Sequence, residues 1–96
     1  MRPDLLNAQD IEDNLRDLPF WNLEENKIVR EIVLNNFVAI IGFVNSIAVF
    51  AEKMDHHPDI NIYGWNKLRI SITTFDRGGL TELDFSLAQK IETLLN

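Results

Sequence analysis

The sequence predicts an α+β fold, a two-layer sandwich of order α-β-β-α-β-β-α whose four-stranded, mainly antiparallel sheet carries its helices on one face. Three observations predict it. Residues 37–51 form an apolar run interrupted only by Gly42, Asn45 and Ser46, with members at nearly every helical direction. Residues 66–75 alternate, with Leu68, Ile70, Ile72 and Thr74 facing one way and Lys67, Arg69, Ser71, Thr73 and Phe75 the other. After a first helix, two strand-strand-helix patterns then follow one another, which is how a sheet acquires a single helical layer.

The elements follow in order. Asn7-Ala-Gln-Asp10 has the form of a capping box with Asp in the Glu/Gln position, and Leu6 with Ile11 can staple it. Ile11, Leu15 and Leu18 continue as a narrow apolar stripe, and Pro19 closes the helix, a lid on one face. Residues 20–24 and 27–35 are rich in aromatic and β-branched side chains and flank Glu25-Asn26, where Asn tolerates the positive φ of a tight turn, so a hairpin is expected. Ile28, Ile32 and Leu34 on one face of its second strand and Val29 and Val33 on the other suggest partial burial on both sides.

The central apolar run is too long and too rich in alanine for a strand. It falls short of the ~18 to 20 apolar residues that cross a bilayer, so it reads as a buried helix and no membrane partner is expected. Phe37, Ile40, Ile41, Val44, Ile47 or Ala48, and Ala51 can pack on the sheet. Val38, Phe43, Val49 and Phe50 are then left either for the outer helices or for a subunit interface. A strand over residues 59–63 pairs with the alternating one through Gly64-Trp65. Continued alternation would put Phe75 on the polar face, where such a ring lines a cleft or an interface. Asp76-Arg-Gly-Gly79 is a turn, and Thr81-Glu-Leu-Asp84 is a second capping box, stapled by Leu80 and Phe85, before a final helix striped by Phe85, Ala88, Ile91 and Leu95.

Ninety-six residues make one domain, 1–96. Nine basic residues against fifteen acidic ones give a net charge of -6 with no Lys/Arg cluster, so a nucleic-acid backbone would be repelled and direct nucleic-acid binding is not expected. The absence of cysteine excludes disulfides and thiolate sites, and residues 1–6 lack an apolar signal core; a cytoplasmic location is expected.

Titratable side chains concentrate most tightly in Glu52-Lys-Met-Asp-His-His-Pro58. Pro58 ends the preceding helix, so both imidazoles fall at its C-terminus, where the macrodipole favours imidazolium by very roughly 0.3 to 1 kcal/mol if exposed. Three uses stay open for the pair. Capping is the simplest. Metal ligation could draw on Glu52 and His56 at i,i+4, but no third well-spaced histidine and no cysteine support a closed site, so no metal and no cofactor are expected. Acid/base work suits an unperturbed pKa of about 6.5.

Residues 52–58, Tyr63-Gly-Trp-Asn-Lys67, Thr73-Thr-Phe-Asp-Arg-Gly-Gly-Leu-Thr-Glu-Leu-Asp84 and Leu87-Ala88 together resemble the pterin-4a-carbinolamine dehydratase family, whose animal members are also transcription-factor dimerisation cofactors. The resemblance spans nearly the whole chain and includes Leu18-Pro19, Trp21 and the apolar helix. It implies dehydration of a 4a-hydroxytetrahydropterin to quinonoid dihydropterin and water, in tetrahydrobiopterin-type cofactor recycling, by a homodimer or homotetramer. It makes His56 an acid/base group, His57 a pterin-contacting and orienting group, and Asp84 a polar member of the site, with Glu52, Pro58, Trp65, Thr74 and Phe75 around the substrate. One departure stands out: the family has histidine where this chain has Phe75, and phenylalanine transfers no proton. The alternative that follows is a slow or inactive pterin-binding or protein-interaction module. Asp84, at the third position of its helix, also has a purely capping role available.

Overall fold

The computed structural model describes residues 3–95. The elements are α1 Ala8–Arg16, β1 Trp21–Glu24, β2 Lys27–Val33, α2 Phe37–Met54, β3 Asp59–Tyr63, β4 Lys67–Ile72, a short 3₁₀ turn Phe75–Arg77, and α3 Glu82–Thr93. The order is the expected α-β-β-α-β-β-α. All three strand pairings are antiparallel, in the spatial order β1-β2-β4-β3, so the two hairpins meet through β2 and β4.

One cluster forms the core. Ile28 and Ile32 of β2 and Leu68, Ile70 and Ile72 of β4 face Ile40 and Ile47 of α2 and Phe85, Leu87, Ala88 and Ile91 of α3. The alternation of β4 appears directly as fully buried Leu68, Ile70 and Ile72 between half-buried Lys67, Arg69 and Ser71. On the opposite face of β2, Val29 is buried while Val33 is exposed, so burial on that side is confined to the end nearer the β1–β2 turn.

Several local expectations change. α1 ends at Arg16, three residues before Pro19, because Asp17 caps it with its N–H on Asn14 and Leu15 carbonyls. Leu18 still enters the core, but from the following turn. In the first hairpin the positive φ falls on Glu25 (57°) instead of Asn26. Asn26 is engaged across the sheet, where its carbonyl accepts the Thr73 hydroxyl at 2.6 Å.

α2 runs three residues further than its apolar stretch and, at 18 residues with a mean hydropathy of 1.6, is long and apolar enough by length and composition to span a membrane. Here Ile40, Ile47 and Ala51 are buried in the domain, with Phe43, Val44, Phe50 and Met54 half-buried against the same core. Phe37 and Ile41, expected on the sheet, are instead exposed, because contact with the core narrows to the line through residues 40, 44, 47 and 51. Lys90 of α3 covers Phe50, its ammonium 5.9 Å from the ring centroid. Val38 is 80% exposed and Val49 53%, so α2 presents an apolar outer stripe.

α3 is tied to the first hairpin by one carboxylate. Trp21 Nε1 and Arg30 Nε each donate to Glu92 Oε1 at 2.7 Å, in surroundings that leave Arg30 and Glu92 only 15% and 24% exposed. Glu92→Ala strands an indole N–H and a guanidinium together, and is expected to cost about 2 kcal/mol. A lower urea midpoint with unchanged slope is the expected reading. An unmoved midpoint would mean that the tie contributes nothing.

Candidate active site

The site is built where α2 stops. Asp55 adopts the left-handed conformation (φ 50°, ψ 44°), and the N–H groups of Asp55 and His56 reach back to the carbonyls of Glu52 and Ala51 at 3.2 and 3.1 Å. These are the closing bonds of a Schellman-type terminus, in a backbone region that Asp tolerates better than most side chains. Pro58 then prevents renewed helix. The reversal sends the two imidazoles to opposite sides: the His56 side chain is 4% exposed, that of His57 55%.

His56 meets Asp84. Its Nε2 lies 2.6 Å from Oδ1 of a carboxylate with no exposed surface. An unpaired buried carboxylate would cost several kcal/mol, and this one is surrounded by partners. Thr74 Oγ1 donates to Oδ2 at 2.9 Å, the Thr81 N–H donates to the same oxygen at 2.8 Å, and Thr74 Oγ1 is 2.9 Å from Thr81 Oγ1. Thr81 is the N-cap of α3 and Asp84 completes its capping box, so the capping role is present. The same carboxylate also faces His56, and one residue makes both sets of bonds.

The turn before α3 delivers Thr74. Its N–H bonds to the Gly79 carbonyl at 3.1 Å, closing a loop in which Gly78 takes φ 74°. A Cβ on Gly79 would stand 3.2 Å from Leu5, so that glycine lets the N-terminal segment pass close by. Between them Phe75 opens the 3₁₀ turn, 75% exposed; β4 ends at Ile72, and the ring reaches solvent from the turn and not from a continued strand.

The remaining candidates fall into two groups. Glu52 is exposed, and its Oε1 lies 3.6 Å from Nε2 of His57. The i,i+4 pairing of Glu52 with His56 is not made, since the reversal at Asp55 intervenes; among the described residues no three His, Cys, Asp or Glu side chains converge as metal ligands would. Pro58 is half-buried beside His57. Trp65, 63% exposed at φ 57°, occupies the β3–β4 turn. That turn is the far end of the hairpin from Asp59 and Ser71, about 15 to 20 Å along the strands, so a single chain does not bring Trp65 to His56.

Other polar features lie on the open face of the sheet. A depression of about 190 Å³ is lined by Asp59, Ile60, Asn61, Arg69 and Ser71, away from His56 and Asp84. Tyr63 donates to Glu31 on that face, and this bond to a carboxylate raises the phenol above its ordinary pKa. What the sequence concealed at the site was the Thr81 hydroxyl and the inward role of the Thr74 hydroxyl. The capping pattern announced Thr81 as a helix start, but nothing in the chain order shows that its partner Asp84 meets a side chain 28 positions away.

A one-faced antiparallel α+β sandwich with a buried imidazole-carboxylate pair at a helix terminus defines a class that holds one titratable pair at a fixed point. The chain belongs to the pterin 4 alpha carbinolamine dehydratase family, whose sequence profile matches residues 4–94. Relatives match over nearly the whole length. A Chloroflexus aurantiacus protein named "Putative pterin-4-alpha-carbinolamine dehydratase" is 47% identical over 94% of this chain and 96% of its own. One of the same name from Metallosphaera sedula is 38% identical over 93% and 92%. Among solved structures, a transcriptional coactivator/pterin dehydratase from Brucella melitensis superposes with a TM-score of 0.90 at 28% identity, covering 97% of this chain and all of the other. A pterin dehydratase-like RuBisCO assembly factor of the alpha-carboxysome shares the fold, with a TM-score of 0.63 at 17% identity over 77% and 84%.

Proposed function

We propose that this protein dehydrates a 4a-hydroxytetrahydropterin to the quinonoid dihydropterin, as a hydro-lyase in pterin cofactor recycling. The observation that carries the proposal is the His56–Asp84 pair, buried and bonded at 2.6 Å in a chain of this family. The reaction breaks the bond from C4a to its hydroxyl oxygen. A proton must reach that oxygen so that it departs as water, while a ring nitrogen loses its own proton and its electron pair forms the new double bond. His56, held by Asp84, is the acid that delivers the first proton. His57 stands outside, beside Glu52, and orients the pterin. At the third imidazole position this chain has Phe75, so the ring-nitrogen proton leaves through water. The test is a coupled assay of carbinolamine dehydration; a rate equal to the spontaneous one in the presence of the protein would sink the proposal.

A second reading is favoured by exposed apolar surface: an interaction module that binds pterin weakly or without turnover. Phe75 and the α2 stripe of Val38, Ile41 and Val49 support it. The same stripe supports assembly of the chain as a homodimer or homotetramer, since an apolar helix face of this kind is ordinarily covered. Sedimentation of wild type against Val38→Asp checks the assembly, with the variant expected to dissociate; a monomeric wild type would contradict it. A monomer that also fails to bind pterin in titration would remove the module reading.

A further inference from the structure

We infer that Thr74 and Thr81 are positioning residues that fix the tautomer of His56, and that the reactive nitrogen of this imidazole is Nδ1. The consequence for turnover rests on the dehydratase reading; the tautomer itself is measured on the free protein. Thr81 Oγ1 accepts the Leu83 N–H at 3.2 Å, which directs its own proton toward Thr74 Oγ1 at 2.9 Å. The single hydroxyl proton of Thr74 then goes to Asp84 Oδ2. The Thr81 N–H occupies the same oxygen, so Oδ2 holds two donors and Oδ1 is the atom presented to His56 Nε2.

With Oδ2 already holding two donors, an ionised Asp84 has no proton to give from Oδ1. In the neutral imidazole the hydrogen must therefore reside on Nε2. Nδ1 takes no protein partner among the described residues. Asp84 occupies Nε2, which leaves Nδ1 as the other ring nitrogen. It is the atom a substrate can meet.

The arrangement makes an unusual demand on Asp84→Asn. Two donors converge on the Oδ2 position, so the amide oxygen must stay there and the NH₂ must take the place of Oδ1. The NH₂ then confronts Nε2, which has to accept, and the imidazole proton moves to Nδ1. The substitution is nearly isosteric, yet it inverts the tautomer and takes away the carboxylate charge that supports the imidazolium from which Nδ1 delivers its proton. The same wrong-tautomer consequence follows from an Asp-to-Asn change in the serine protease triad.

Long-range proton–nitrogen correlation spectra of the full-length ¹⁵N-labelled protein decide the matter, read on the alkaline side of each titration, with His57→Ala isolating the His56 ring. Wild type is expected as Nε2–H and Asp84→Asn as Nδ1–H. Thr74→Val is expected to lower kcat about tenfold, the size of one lost hydrogen bond, with KM nearly unchanged, and Thr74→Ser to restore it. A wild-type ring protonated on Nδ1, or an Asp84→Asn ring that keeps Nε2–H, would overturn the assignment. If the tautomers come out as expected and no dehydration is catalysed, the assignment stands and the dehydratase reading fails.

Discussion

His56→Ala is expected to lower the protein-dependent dehydration rate by about 10²- to 10⁴-fold, the range of a positioned acid/base group. The loss should fall on kcat more than on KM, because a ring that is 4% exposed and bonded to Asp84 offers little surface for ground-state binding. Fold is the necessary control. Removing His56 leaves Oδ1 of Asp84 without its partner, a cost of about 1 to 3 kcal/mol, so activity must be compared well below the variant's melting temperature. His57→Ala is the informative contrast: with a side chain 55% exposed it should raise KM and leave stability unmoved. Equal kcat losses in both variants would mean that the buried pair has no special role.

The second large effect runs the other way. Phe75→His is expected to increase the dehydration rate by about 10²-fold, the lower end of what one further acid/base group supplies. Phe75 is 75% exposed in the 3₁₀ turn that directly follows Thr74, so an imidazole there displaces no core packing and the melting temperature should hardly change. The turn is tied down by Thr74 and Gly79 on either side. A gain in rate with unaltered stability would identify the absent imidazole as the limitation. An unchanged rate would mean that water already carries the ring-nitrogen proton efficiently.

Local patterns told most of the fold. The alternation through Leu68, Ile70 and Ile72, the N-cap at Asn7, the capping box at Thr81, and the apolar run of α2 each have a period or a spacing that specifies one element. Features set by competition between elements were hidden. Ile41 fits the apolar face of α2 as well as Ile40 does, yet core contact runs along residues 40, 44, 47 and 51 and leaves Ile41 exposed. Glu25 takes the positive φ, while the Asn26 carbonyl accepts from Thr73, 47 residues away.

The site divides the same way. That His56 and His57 sit at a helix terminus was legible from Pro58. That they part company, one inward and one outward, follows from the left-handed Asp55, which no apolar pattern marks. Asp84 could be read as a cap from its spacing to Thr81, whereas its bond to His56 exists only once α2 and α3 are packed together. Trp65 stands between the matching blocks in sequence, but a hairpin carries it to the opposite end of the sheet.

Whether the buried His56–Asp84 pair turns over a pterin carbinolamine is read from stopped-flow formation of quinonoid dihydropterin out of chemically generated 4a-hydroxytetrahydropterin. Wild type is expected to accelerate the reaction above its spontaneous rate, and His56→Ala to lose nearly all of that acceleration. A wild type that leaves the spontaneous rate unchanged, or an acceleration that survives His56→Ala intact, would contradict turnover by the pair.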